Sequence, residues 1–199
     1  ATQPALNPAP PQAGRPDPLL DVARAPYRHD FNHVMRRVDA HHADKPRLGT
    51  ARRPVDEPVR LGQPADLSFA PSGLAGVTLD DRSGKPRIEV RFFGLFGPNG
   101  PLPLHLTAYA RERRMHKADE TFGRFADMFH HRLLLLFYRS WAQAQPTVSL
   151  DRPGEDRFAD FVGSMVGVGG PAWRGRDAAP DHARLAFAGR ISRQVRNAD

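Results

Sequence analysis

Histidine is the residue in this sequence with the widest chemical use, because imidazole can bind a metal ion or transfer a proton near neutral pH. The chain has nine histidines. His29 and His33 would share one face of a helix, with Asp30 beside them. The pairs His41–His42 and His130–His131 are adjacent, and neighbouring helical side chains point about 100° apart and chelate poorly. Because no recognisable motif supplies a third ligand, we expect surface or hydrogen-bonded histidines, no metal and no other cofactor.

A glycine-rich stretch, residues 94–100, follows a predicted strand and precedes a predicted helix, which is where phosphate-binding loops occur. It matches neither G-x-x-x-x-G-K-[ST] nor G-x-G-x-x-G, and Pro98 lacks the amide hydrogen that would bind a phosphate. Ser164 lies in the segment Val162–Val166, which does not match the G-x-S-x-G nucleophile elbow, and the chain has no cysteine. The sequence therefore predicts no catalytic residue and a function other than catalysis.

The formal net charge is +7 and the pI is near 10.6, which suits an acidic protein, a nucleic acid or an anionic membrane surface as a partner. No apolar run approaches the roughly 20 residues that a membrane-spanning helix needs. A basic face is predicted on the last helix by Arg184, Arg190, Arg193 and Arg196. No helix-turn-helix, zinc-finger or RNP pattern is present. On the basis of the net charge and this basic face alone, an Arg-rich nucleic-acid-binding module is the alternative function.

The elements that must position these residues follow from the periodicity of the apolar positions. Prolines crowd residues 1–18 and predict a flexible arm. Apolar spacings of three and four predict helices over residues 27–42, 104–116, 119–145, 155–166 and 181–197. Apolar alternation and turn residues predict strands over residues 59–61, 66–69, 74–79 and 87–93, with a hairpin turn at 80–85. We expect an α+β fold: a small, mostly antiparallel sheet packed beside a helical bundle with one long central helix.

The helix predicted over residues 119–145 is the longest, with Asp119 as a cap at its start and Pro146 as a stop at its end. One face is expected to lie in the core along its whole length, formed by Phe122, Phe125, Met128, Phe129, Leu133, Leu136, Phe137, Ser140 and Trp141. The loop before the preceding helix is expected to be ordered, because its prolines and glycines restrict the backbone. Within that loop, Leu95 and Phe96 either anchor the core or contact a partner.

A specific string of residues, Arg91–Pro103 (RFFGLFGPNGPLP), resembles the hallmark of the TssG family, also called ImpH or VasB, of the bacterial type VI secretion system. The resemblance continues through His105–Thr107, Phe129–Leu133, Phe137–Arg139, Trp141, Asp156–Phe158 and Gly167–Gly170. Upstream it includes Arg47–Gly49, Pro58–Gln63 and Phe69–Pro71. It covers nearly everything from about residue 19 onwards and excludes the arm.

The resemblance implies a structural role without a catalytic residue or cofactor. Family members assemble with TssF and TssK into wedges of the baseplate, which is cytoplasmic and docks on the membrane complex at the inner face of the inner membrane. On this basis residues 19–199 are expected to form a TssG-like N-terminal domain, and the C-terminal part of the family is expected to be absent. A second face of the long helix is predicted to contact TssF. The predicted partner-binding residues are Leu95, Phe96, Pro98, Asn99, Pro101, Arg132 and Arg139.

Overall fold

The computed structural model of the chain describes residues 17–79, 83–176 and 178–193, and these confirm the expected α+β class. Within those ranges the α-helices are α1 (Leu20–Arg24), α2 (Phe31–His41), α3 (Leu104–Lys117), α4 (Thr121–Gln143), α5 (Pro146–Leu150), α6 (Arg157–Met165), α7 (Asp181–Ala186) and α8 (Ala188–Ile191). The strands are β1 (Arg60–Gly62), β2 (Leu74–Leu79) and β3 (Pro86–Val90). Most of the predicted flexible arm, residues 1–16, lies outside the described residues, and Pro18 at its end is buried.

The strands form one mixed sheet with the order β1-β3-β2. β3 lies in the centre and pairs antiparallel with β2 and parallel with β1, with Leu61 opposite Ile88. The expectation of a mostly antiparallel sheet is therefore corrected, because apolar alternation within a strand does not encode the direction of its neighbour. The strand predicted over residues 66–69 is absent. Asp66 instead accepts hydrogen bonds from the main-chain N–H and the hydroxyl of Ser68, which form a local turn.

The main core lies where α2 and α4 pack against the sheet. The predicted helix over residues 27–42 has an apolar stripe of Tyr27, Phe31, Val34, Met35 and Val38. The last four are buried in this core, at most 4 % exposed, whereas Tyr27 is 63 % exposed and lies outside α2. The helix begins later than predicted, at Phe31, because the side chain of Asp30 accepts the main-chain N–H of His33 and caps it. Residues Pro26–Arg28 form a separate 3-10 turn.

The long helix α4 faces the core with a different side from the one predicted. Its buried residues are Ala126, Asp127, His130, His131, Leu134, Leu135 and Tyr138. Most of the predicted core face lies on the opposite side and is 41–66 % exposed: Phe125, Met128, Phe129, Leu133 and Leu136. The prediction was wrong because the helix is apolar on both sides, and its polar residues Asp127, His130 and His131 find hydrogen-bond partners inside the fold.

The described residues from 145 onwards form a second compact unit, separate from the unit that ends at Ala144. Pro146 follows the end of α4, as predicted, and is also the first residue of α5. At that position the amide hydrogen that proline lacks would have no partner within the helix. Asp156 caps α6 by accepting the main-chain N–H of Ala159 at 3.0 Å. The single helix predicted over 181–197 is divided at Phe187 into α7 and α8, and Arg196 lies outside the described residues.

Candidate partner-binding surface

The hallmark loop, residues 94–101, is held by side chains from three other parts of the fold. Gln63 binds Phe96 in both directions: the main-chain N–H of Phe96 donates to Gln63 Oε1 (2.8 Å), and Gln63 Nε2 donates to the carbonyl of Phe96 (2.9 Å). The N–H of Leu95 donates to His130 Nε2 on α4 (2.9 Å). The N–H of Gly97 donates to Thr107 Oγ1 on α3 (3.2 Å). The loop backbone is therefore fixed by three buried side chains that lie 10, 33 and 35 residues away along the chain.

Two glycines allow the backbone of the loop to follow this path, and the first also allows the close approach of Gln63. Gly94 has φ +147° and Gly97 has φ +101°, in a region that other residues rarely adopt. A Cβ atom on Gly94 would lie 2.1 Å from Gln63 Oε1, which is far inside van der Waals contact. A larger residue at this position would therefore displace the Gln63 side chain from Phe96.

A buried carboxylate, Asp127, completes the support beneath the loop. It accepts hydrogen bonds from the main-chain N–H of Gln63 (3.0 Å) and from His130 Nδ1 (3.0 Å), and it forms an ion pair with Arg87 of β3. Because His130 Nε2 accepts a hydrogen bond from Leu95, its proton resides on Nδ1, facing Asp127. Burial acts to raise the pKa of Asp127, but the hydrogen bond from His130 and the charge of Arg87 outweigh it and hold the pKa below its usual value.

The predicted partner-binding residues of the loop differ in exposure. Phe96 is 2 % exposed and packs edge-on against Phe122 and His130, with ring centroids 5.7 Å apart in both cases. Of the two roles left open for it, this burial supports the core anchor. Leu95 and Pro98 are half-buried. Asn99 and Pro101 are exposed, so that they are the loop side chains most accessible to a partner.

Arg132 and Arg139, the two predicted binding residues on α4, converge on one carbonyl. The Nη1 atom of each donates to the carbonyl oxygen of Gly49 at 3.2 Å. Gly49 has φ +77°, and its N–H donates to Glu57 Oε1 at 2.9 Å. These contacts connect the turn at residues 47–50 with α4. Arg132 remains exposed at the surface, whereas Arg139 is half-buried.

The largest exposed apolar feature of the long helix is the side that was predicted to be core. We call it the outer face of α4, and it consists of Phe125, Met128, Phe129, Leu133 and Leu136. The only acidic residue within α4 is Asp127, which is buried. Arg132 lies among the apolar side chains, so the exposed surface of this helix is apolar and basic. The sequence signal for this face was the presence of apolar residues on two opposite sides of one helix.

The remaining candidates for chemistry are dispersed. His130 and His131 accept main-chain hydrogen bonds from Leu95 and Leu61, which confirms the prediction of hydrogen-bonded histidines for this pair. No group of three metal-ligating side chains occurs within residues 17–79, 83–176 and 178–193. In the same part of the chain, no helix is both long enough and apolar enough to cross a bilayer. The basic face predicted for the nucleic-acid alternative is divided between α7 and α8, and Arg190 lies over the Phe187 ring.

Comparison with known proteins adds one finding. The family model described as Type VI secretion, TssG matches residues 25–199, which is most of the chain. No curated protein and no solved structure matches the chain significantly.

Proposed function

The chain belongs to the TssG family, a structural family of type VI secretion baseplate subunits, and from this premise we propose that it assembles with TssF and TssK into baseplate wedges. These wedges would support assembly of the tail sheath and tube. The proposed location is the cytoplasmic face of the bacterial inner membrane. The observation that carries the proposal is the outer face of α4, an apolar surface on a helix whose opposite side already packs in the core.

The size of this face fits a protein contact. A large apolar or aromatic side chain contributes about 150–250 Å² when it becomes fully buried, and five side chains at about half exposure leave roughly 500 Å² available. A stable interface buries about 800 Å² on each partner, so the outer face could supply most of an interface core. At about 25 cal/mol per Å², its burial would contribute up to about 12 kcal/mol before the costs of association.

We assign the outer face of α4 to TssF. The polar rim of that contact would include Arg132 and Arg139, whose guanidinium groups lie on the same helix. The exposed end of the hallmark loop, with Pro98, Asn99 and Pro101, is a second proposed partner contact. Its backbone is fixed before any partner binds, which lowers the entropy lost on association.

The decisive experiment compares Phe129→Asp with the parent chain in co-expression with tagged TssF and TssK. Phe129 is 49 % exposed, so the variant should melt within a few degrees of the parent while its recovery with TssF falls by tenfold or more, about 1.4 kcal/mol. Leu20→Asp is the matched control, since Leu20 is 53 % exposed on a different helix and should retain TssF. Equal recovery of Phe129→Asp and the parent would contradict this assignment.

A further inference from the structure

A cavity of about 950 Å³ lies on the side of α4 next to the outer face. Its walls come from residues 51–61, from residues 83–87 and from α4 between Arg124 and Leu135. All of these belong to the compact unit that ends at Ala144. We call this cavity the basic groove. Its position matters because Met128 and Arg132 line the groove and also belong to the exposed surface of α4.

Positive charge dominates the basic groove. Its carboxylates are Glu57 and Asp127, and the latter is paired with Arg87. Its cationic side chains are Arg52, Arg60, Lys85, Arg87, Arg124 and Arg132, of which Arg124 is paired with Glu120 at 2.9 Å. Several of them hydrogen-bond to neutral groups: Arg60 donates to the carbonyl of Pro54 (3.1 Å), Lys85 to that of Glu57 (2.6 Å) and Arg132 to that of Gly49 (3.2 Å). Carbonyl oxygens carry no formal charge, so these contacts orient the cations without neutralising them.

The pKa values of two bases in the groove are lowered mainly by burial, with a smaller contribution from nearby positive charges. Burial lowers the pKa of Lys85, and the positive charges of Arg60 and Lys45 lower it further. Burial also lowers the pKa of His131 to about 4, with Arg60 and Arg132 as the next contributions. Protonated bases are disfavoured in a positive potential, and an anion in the groove would relieve it.

Two buried polar atoms that line the groove have no hydrogen-bond partner in the described part of the chain. His131 is 7 % exposed, and its Nδ1 accepts the N–H of Leu61 at 3.2 Å, so Nε2 carries a proton without an acceptor. Glu57 is 2 % exposed, and the N–H groups of Gly49 and Ala51 act on its carboxyl group, but its Oε2 has no partner within hydrogen-bond geometry. Unsatisfied buried polar atoms are costly, so this pair indicates a ligand with both an acceptor and a donor.

We propose that the basic groove binds an acidic peptide segment of a partner subunit. Carboxylates of that segment would interact with Arg60, Lys85 and Arg132, a carbonyl oxygen would accept from His131 Nε2, and a main-chain N–H would donate to Glu57 Oε2. A phosphate group fits less well, because it offers acceptors alone and would meet the Glu57 carboxylate. Since the groove continues into the outer face of α4, we assign the segment to the partner that covers that face. In this respect the inference rests on the proposed function.

The test uses fluorescein-labelled peptides of about 15 residues that together cover TssF and TssK, with binding to the full chain measured by anisotropy. Acidic peptides should bind, and Arg60→Glu should weaken that binding about tenfold, the equivalent of about 1.4 kcal/mol. Arg53→Glu is the matched control, because Arg53 is exposed, pairs with Asp56 and does not line the groove, so its effect should stay below about twofold. Arg52→Glu, at an exposed position that lines the groove and lies outside α4, is the second variant if Arg60→Glu unfolds.

Three results would overturn the proposal: no acidic peptide binds, Arg53→Glu weakens binding as much as Arg60→Glu, or a labelled single-stranded RNA oligonucleotide binds the groove more tightly than every peptide. Recovery with TssF distinguishes this inference from the proposed function. If Phe129→Asp loses TssF while Arg60→Glu keeps both TssF and parental peptide binding, the groove assignment is wrong and the function stands. If both variants keep TssF, the assignment of the α4 surface to TssF is itself wrong.

Discussion

Replacing Asp127 with alanine should destabilise the compact unit that ends at Ala144 by about 3–5 kcal/mol, the range expected when one member of a buried ion pair is removed. The Arg87 side chain is 8 % exposed and would lose its closest carboxylate. The Gln63 N–H and the His130 Nδ1–H would lose their acceptor, at about 1–3 kcal/mol for each buried donor. Glu89 Oε1, 3.2 Å from Arg87 Nε, still offsets part of the charge, so the terms do not add in full.

The measurement is urea-induced unfolding followed by circular dichroism, with a thermal scan in parallel. A loss of this size should lower the melting temperature by roughly 10–20 °C. Asp119→Ala is the control, since Asp119 is half-buried, pairs with Arg113 and accepts the main-chain N–H of Thr121 at the start of α4 (2.9 Å). Its loss should therefore have only the smaller effect that is usual when a helix cap is removed. The double variant Asp127→Ala/Arg87→Met should recover about 2 kcal/mol relative to Asp127→Ala, because it removes the uncompensated charge. A parental melting temperature for Asp127→Ala, or a double variant less stable than the single one, would refute the reasoning.

Two further predictions concern the loop and His131. Phe96→Asp should abolish the folded state, because it places a carboxylate at a site that is 2 % exposed. The control Asn99→Asp, at an exposed position in the same loop, should melt like the parent. A folded Phe96→Asp variant that no longer binds TssF or TssK would instead make Phe96 a partner contact. The pKa of His131 is about 4 in the folded protein and about 6.5 in the unfolded chain, so protonation favours the unfolded chain. The free energy of unfolding should therefore be unaffected by the titration of His131 above pH 6.5 and should fall by up to about 3 kcal/mol as the pH drops to 4. His131→Gln should flatten the decline in unfolding free energy measured between pH 7 and 4.5, and an unchanged slope would contradict this.

Helices and strands with one apolar side were predictable from the sequence. The stripe of Phe31, Val34 and Val38 is buried as expected, and β2 has the predicted bounds of Leu74–Leu79. The period of the pattern determines which side of such an element packs inward, and no information from distant residues is needed.

The orientation of α4 was not predictable in the same way. With large apolar residues on two sides, the periodicity permits either side to face the core. The deciding groups are Asp127, His130 and His131, which are buried because they bind Arg87 and the backbone at Leu61, Gln63 and Leu95. These partners lie 35–70 residues away along the chain, so no local pattern reveals them. The Gln63 contact with Phe96 spans 33 residues and escapes sequence analysis for the same reason.

The two apolar sides of α4 impose a condition on synthesis in the cell. A newly made chain can fold by burying the inner side alone, but the outer side then remains exposed to water. It can associate non-specifically with other exposed apolar surfaces. For the outer face of α4 to be buried soon after synthesis, the partner subunit that covers it must already be present when this chain is released from the ribosome. Production of the subunits in matched amounts would therefore protect the chain against precipitation and degradation.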